Sequence, residues 1–307
     1  MALPNSNYTN LSSITSELFL PKMVDQIFNS NALFARWKKK IVKKDGGLKI
    51  VQPLLYATTT ATGWYSGADT LDITPNEKRT AAEFEWKYAH ASLTITRQDE
   101  LVNSGTSQII DHVRTEVQVA EKTLSNSLGT ALFNAGTTTN ALIGLRLMCQ
   151  GTGYTYGNIS KTTYSWWRSS VFTDTVLTLP ILNGAFGDLT IDSDGPSVIV
   201  TTQDILDDYC NLLQPQQRFA DSKTADAGFQ NLTYRGKPIV VDSHCPTGYA
   251  FMLNESYIDF IVHKDEMFRF EPFIKPPNQN VSVAHIYFAG VLVCNNCRMQ
   301  GMFTSIA

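Results

Sequence analysis

Five histidines and five cysteines are the side chains of this 307-residue chain best suited to bind metal or act as nucleophiles. His90, His112, His244, His263 and His285 share no ligand spacing. Cys294 and Cys297 have the two-residue gap of a redox or zinc pair, but a structural zinc site needs four ligands. His244-Cys245 is the one candidate second pair, and nothing in the sequence brings it near. Structural thiols are the simpler reading. An odd cysteine count with irregular spacing also points to reduced thiols rather than a disulfide framework. Gly151, Gly153 and Gly157 could suggest a phosphate loop, yet they fit neither the P-loop nor the dinucleotide fingerprint. Asp204, Asp207 and Asp208 fall on an expected helix and read as its solvent face. H-E-x-x-H, G-x-S-x-G and Walker-type patterns are absent. An active site built from distant residues leaves no local motif, so an enzyme stays open as a lesser alternative. No catalytic, cofactor or metal residue is assigned.

Composition narrows the classes further. The net charge is −3 and the pI is near 6.0, so the chain has no overall basic signature for nucleic acid. Charged residues make up 17%, below the roughly 25% of an average globular protein. Thr, Ser and Asn fill the gap, a surface suited to close contact with other protein. One local exception is Trp37-Lys38-Lys39-Lys40-Ile41-Val42-Lys43-Lys44, with five lysines in seven residues. It reads either as a polyanion contact or, more simply, as a solvated face beside an apolar anchor. The start, MALPNSNYTN, lacks a signal pattern, and no apolar run reaches membrane-spanning length.

The elements that must position these residues are organised around one stretch, Thr106–Ala135. Ile110, Val113, Val117, Ala120, Leu124, Leu128 and Ala131 recur at steps of three and four, giving one apolar stripe. Thr106 or Ser107 is a candidate N-cap and Gly136 a stop. Such a helix is roughly 45 Å long, against a radius of gyration of about 19 Å for a compact globule of this size. It therefore crosses most of the molecule.

Before it, residues 1–44 read as an arm with two short helical pieces, the second carrying Leu33, Phe34 and Trp37. Neither is stable alone in water, so both must pack on the body or on another chain. Leu48–Ala57 and Ala81–Thr96 read as strands, the second with Phe84, Trp86 and Tyr88 alternating with Glu83, Glu85 and Lys87. About 20 residues with no clear element join them, and connections this long are usually functional. A lone hairpin is marginal in water. It is supported by its own domain or by a neighbouring subunit, and Trp64 and Tyr65 at the tip are of the aromatic type favoured in interfaces.

After the long helix come a glycine- and tyrosine-rich turn segment and the Trp166-Trp167 anchor. Residues 174–265 then alternate: helices near Asp174–Gly187 and Gln203–Leu213, and strands at Ser197–Thr201, Lys237–Asp242 and Tyr249–Leu253. Residues 215–236 between them are polar and irregular, a candidate contact element. Strands at Met267–Ile274 and Val281–Cys294 follow, with Arg298–Thr304 placed to pair with the latter.

This order of parts resembles the tailed-bacteriophage major capsid protein of the Hong Kong 97 type. GGLKIVQPLLYA, GWYSGADTLD and TAAEFEWKYA look like that family's extended loop. TRQDELVNSG looks like the entry to its spine helix, and GTGYTYGNISKTTYSWW like the stretch after the spine. The resemblance covers almost the whole chain.

It implies an α+β, Hong Kong 97-like capsid fold and a non-enzymatic structural protein. Residues 1–45 would be the N-terminal arm, 46–97 the extended loop, 98–150 with 266–307 the peripheral domain with its spine helix, and 151–265 the axial domain. Subunits would self-assemble into hexamers and pentamers of an icosahedral shell, first as a procapsid, in the host cytoplasm. The shell would enclose double-stranded DNA without sequence-specific binding. Expected subunit-interface residues are Phe34 and Trp37 in the arm, Trp64, Tyr65, Asp69 and Lys78 in the extended loop, and Arg218 and Phe219 in the axial loop. No cofactor and no membrane are implied. Because the chain starts almost directly with the arm, a separate scaffolding protein is expected, together with a portal and optionally a decoration protein. Some members cross-link a loop lysine to an asparagine through a glutamate. Lys78 is the only lysine in the long connection, and no spacing selects among Asn278, Asn280, Asn295 and Asn296. Covalent cross-links are therefore not expected. The alternatives are an encapsulin-like compartment, which shares this fold but encloses enzymes, and a small-oligomer enzyme.

Overall fold

The computed structural model describes residues 31–102, 112–138, 140–213 and 232–306. In chain order the named elements are α1 (Ala32–Lys38), β1 (Val42–Lys44), β2 (Lys49–Leu55), β3 (Arg79–Glu85), β4 (Lys87–Thr96), α2 (Arg97–Val102), α3 (His112–Leu132), α4 (Leu145–Met148), β5 (Thr155–Tyr156), β6 (Ile159–Ser160), β7 (Ser170–Phe172), α5 (Leu179–Asp188), β8 (Val198–Thr201), α6 (Gln203–Leu213), β9 (Thr233–Tyr234), β10 (Lys237–Val241), β11 (Ala250–Leu253), β12 (Ile258–Ile274), β13 (Val281–Cys294) and β14 (Gly301–Phe303).

The apolar stripe of α3 does what its spacing requires. Ala120, Leu124, Leu128 and Leu132 are buried, and Val117 and Ala131 pack beside them. The described helix is 21 residues, roughly 31 Å at 1.5 Å per residue. The expected start at Thr106 and Ile110 lie outside the described residues. The helix ends at Leu132, before the expected Ala135. The chain reverses through Gly136, at φ +78°, and Gly144 then lies against the last turn. A Cβ there would sit 2.5 Å from the Leu132 carbonyl oxygen, so only glycine allows the approach.

α3 packs on a four-stranded sheet of order β1-β12-β13-β4. β13 pairs with β4 in unbroken antiparallel register from Val281 opposite Thr96 to Gly290 opposite Lys87. β12 is antiparallel to β13, and β1 is parallel to β12 at the far edge. A six-stranded sheet has the order β7-β14-β11-β8-β10-β9. Its strands β8 (VIVT) and β11 (AFML) are buried at every residue, the pattern of strands covered on both faces. Ile199, Ala250 and Met252 face Leu182, Phe186, Ile205 and Tyr209 of α5 and α6. Val198, Val200, Phe251 and Leu253 face the main core instead, where Phe251 meets Phe133 just past the end of α3.

Several elements differ from the sequence expectations. The strand expected at Ala81–Thr96 is two strands in two sheets, with Trp86 between them. In β3 the buried residues are even-numbered, Ala82 and Phe84; in β4 they are odd-numbered, Leu93 and Ile95. The face therefore changes at Trp86, whose indole N–H donates to the Gly47 carbonyl. β12 begins at Ile258, not Met267, because bulges let the polar His263-Lys264-Asp265-Glu266 run stay within one strand. α5 begins at Leu179, capped by Thr178, with Pro180 in its first turn. β14 pairs with β11 and β7 rather than with β13. The boundary expected between residues 265 and 266 thus falls inside β12, and the chain's last strand lies in the six-stranded sheet rather than with the rest of 266–307.

Candidate assembly surfaces

β2 and β3 form a two-stranded hairpin, in register from Lys49 opposite Glu85 to Leu55 opposite Arg79. Alternation gives it two unlike faces. Ile50, Leu54, Ala82 and Phe84 are buried against the body. Their support is the small β5–β6 hairpin. The Phe84 ring meets the Tyr156 ring edge-on at 5.2 Å, and the Glu83 amide donates to the Gly157 carbonyl at 3.0 Å. Gly157 and Asn158 both have left-handed backbone, φ +59° and +62°, as a two-residue turn joining strands requires. A Cβ on Gly157 would sit 2.9 Å from the Phe84 ring. At the far end of β2, Tyr56 stacks on Trp166 at 5.2 Å.

Among the described residues nothing gives the other face and the tip such cover. Val51 and Leu55 are exposed on β2, and Trp64, Tyr65, Leu71 and Ile73 are exposed on the connection. Trp64 is as open as in an extended peptide, at 105%, and Tyr65 is 70% exposed. With Leu48, seven of the eighteen exposed large apolar side chains among the described residues lie between Leu48 and Ile73. That concentration is the mark of a contact surface rather than of scattered surface residues. Local polar bonds shape the connection without burying it. Asp69 accepts from the Ser66 amide, and Asn76 donates to the Thr58 carbonyl. Asp72 accepts from the Thr74 amide. Hydrogen bonds from the Thr74 hydroxyl and amide hold the exposed Asp72 carboxyl below its ordinary range.

No protein-family model matches this chain, and no curated protein matches it. Solved structures do. One chain of the cyanophage A-1(L) capsid asymmetric unit superposes with a TM-score of 0.77 at 17% identity, over 97% of this chain and 99% of that one. The capsid of a native GTA particle gives 0.71 at 10% identity, over 99% and 100%. The holo-SrpI encapsulin of Synechococcus elongatus gives 0.62 at 9% identity, over 100% and 96%. The chain has the Hong Kong 97-like capsid fold.

Within that capsid fold, the expected contact residues separate into three groups. Trp64, Tyr65 and Asp69 lie on the open connection, and Lys78 is half-buried where the connection re-enters β3, its carbonyl accepting the Tyr56 amide. Arg218 and Phe219 lie outside the described residues. Phe34 and Trp37 require a correction, because both are 3% exposed and belong to the subunit's own core. Phe34 packs edge-on against Phe260 and Phe268. The Trp37 indole N–H donates to Glu255. The apolar face of α1 is thus spent on its own body, and its outward side carries Ala35, Arg36 and Lys38.

Three features of the interior had no signal in the sequence. Glu255, nearly enclosed, accepts two hydrogen bonds from Arg36 at 2.6 and 2.7 Å, with Lys40 at 3.7 Å. Burial pushes its carboxyl up, but the Arg36 hydrogen bonds and charge, Lys40 and Trp37 outweigh this, and it lies below its ordinary value. Asp242 caps α1 by accepting from the Leu33 amide, and it also holds His244, whose far nitrogen meets Asn126 of α3. Lys161 is fully buried. Its ammonium donates to the carbonyls of Met148 and Gln150 and to the Ser169 hydroxyl.

The thiols are structural in their setting. Cys149, Cys245, Cys294 and Cys297 are buried and free, and Cys210 is half-buried. Burial raises the Cys149 and Cys294 thiols, with Cys297 raising both further. Burial also pushes Cys245 up to about 12, with Asp242 adding to it. His244 is engaged by Asp242 and Asn126 and supplies no second pair to Cys294 and Cys297. Among the described residues no three His, Cys, Asp or Glu side chains converge as a metal site, and no helix is long and apolar enough to cross a membrane.

Proposed function

We propose that this chain is the major capsid protein of a tailed double-stranded DNA bacteriophage, a structural shell subunit rather than an enzyme. The observation that carries the proposal is the hairpin: one face and the tip expose Val51, Leu55, Trp64, Tyr65, Leu71 and Ile73, on a chain that matches capsid shell subunits end to end. In solution that surface is a cost; laid on a neighbouring copy it becomes apolar burial at every contact. The subunits form hexamers and pentamers of an icosahedral shell, in the virion and earlier in the host cytoplasm, with separate scaffolding and portal proteins and optionally a decoration protein. The axial contacts come from residues 215–236, including Arg218 and Phe219, and the extended-loop contacts from Trp64, Tyr65, Asp69 and Lys78. The content of purified particles tests the assignment. Particles from infected cells are expected to hold nuclease-protected double-stranded DNA. Particles holding a packaged enzyme and no DNA would move the chain to the encapsulin class, whose fold it shares.

A further inference from the structure

The lysine run of residues 38–44 has a defined place in the fold. It runs from the end of α1 into β1, the edge strand of the four-stranded sheet. Lys38, Lys39, Lys40, Lys43 and Lys44 are all exposed. Lys264 on the adjoining strand β12 adds a sixth ammonium, one residue beyond His263, which pairs with Lys44.

Two of the six have a structural role: Lys38 lies over the Phe268 ring at 5.5 Å, and Lys40 joins the Arg36–Glu255 pair. The carboxylates around them are largely engaged. Glu255 is held by Arg36, Glu266 by Arg269, and Asp45 lies 3.8 Å from Lys264. Lys39, Lys43 and Lys44 have no carboxylate partner among the described residues. In a chain of net charge −3, this corner carries a concentrated positive surplus.

We infer that this corner binds the phosphate backbone of double-stranded nucleic acid, without reading sequence. Three observations select that partner. The cations are lysines, point charges that neutralise phosphate without the planar fork of arginine. Among the described residues the large apolar side chains exposed on or beside the run are Val42 and Leu48, whereas a protein partner needs an apolar core, and protein interfaces are depleted in lysine. Among the described residues no aromatic ring is exposed there for unpaired bases to stack on. From Lys39 to Lys44 the chain spans at most about 17 Å at about 3.3 Å per residue, a length of duplex that carries up to about ten phosphate charges. The inference rests on the shell reading in one respect only: the duplex this corner would meet is the one the shell encloses.

The test uses the full-length, unassembled protein and a short DNA duplex of random sequence. With Lys39, Lys43, Lys44 and Lys264 each meeting a phosphate, the logarithm of affinity falls with the logarithm of salt at a slope of about −3 to −4, a loss of roughly a hundredfold between 50 and 200 mM. The variant Lys39→Gln with Lys43→Gln and Lys44→Gln should flatten the slope by about three. Arginine at the same three positions should keep it. Lys237→Gln with Lys275→Gln should change nothing. If the triple glutamine variant melts early, Lys44→Gln alone should lower the slope by about one. Absence of binding, equal binding by the glutamine variants, or displacement of the duplex by polyglutamate at matched charge would overturn the inference, the last in favour of an acidic protein. Shell formation is scored on the same preparations. Shells from protein that ignores DNA leave the assembly reading intact, and DNA binding by protein that never assembles leaves this one intact.

Discussion

Replacing Trp64 and Tyr65 together by alanine separates the subunit's own stability from that of its contacts. Both side chains are open in the subunit, at 105% and 70% exposure, and neither ring stacks on another among the described residues. Substitutions at such positions shift stability by about 0.5 kcal/mol or less, so the unassembled double variant should melt within a few degrees of the parent protein. The loss appears in assembly. Burying one large aromatic is worth roughly 2–3 kcal/mol, so two buried against a neighbour contribute about 4–6 kcal/mol per copy if fully covered, and about half that if half covered. A tenfold change in an equilibrium constant corresponds to about 1.4 kcal/mol. The protein concentration needed for shells should therefore rise by roughly thirtyfold or more. Thermal melting of the unassembled protein and light scattering across a concentration series measure the two effects separately. A large drop in subunit melting temperature, or shells appearing at the parent concentration, would refute the reasoning.

Four further outcomes follow from the geometry. Glu255→Gln should destabilise the subunit by about 2–3 kcal/mol, below the 3–5 kcal/mol of a fully buried broken pair because Arg36 is about a third exposed; urea unfolding measures it. The Glu255 carboxyl lies below its ordinary 4.5 in the folded chain, so its contribution is full above that value and is lost as pH falls through the lowered one. The parent should therefore lose stability on acidification below about pH 4.5 more steeply than Glu255→Gln. Gly157→Ala should cost about 1–3 kcal/mol, from a left-handed backbone and a Cβ 2.9 Å from the Phe84 ring, and should raise protease cutting within β2 and β3. Lys161→Met leaves the Gln150 carbonyl without its donor and the Met148 carbonyl with the Ser169 hydroxyl alone, and should cost about 1–3 kcal/mol by denaturant midpoint. A thiol reagent applied to the native subunit should label Cys210 and spare the four buried cysteines until unfolding; fast labelling of two or more would contradict the buried placement.

What the sequence made legible follows physical range. Gln203–Leu213 and Val281–Cys294 appear at the expected residues because period and flanking residues are local signals. The stripe Val117, Ala120, Leu124 and Leu128 was readable for the same reason. The change of face at Trp86 was not, since alternation tells which residues share a side but not which sheet each strand joins. Bulges in β12 hid a long strand behind four polar residues. On the candidate surface, Trp64 and Tyr65 stood out because large aromatics in a long polar connection have no nearby partner. Phe34 and Trp37 were placed on the wrong surface because an apolar helix face looks the same whether its own body or a neighbour covers it. Arg36 and Glu255 lie 219 residues apart, and Lys161 is held mainly by backbone carbonyls; neither arrangement leaves a pattern in the chain.

Electron microscopy of the purified protein, at high concentration and with a scaffolding protein supplied, tests the central claim most directly. The account predicts closed icosahedral shells, with residues 57–75 of each copy laid on the adjacent copy and Trp64 and Tyr65 covered there. Monomers or dimers alone, with those two side chains still in solvent, would contradict it.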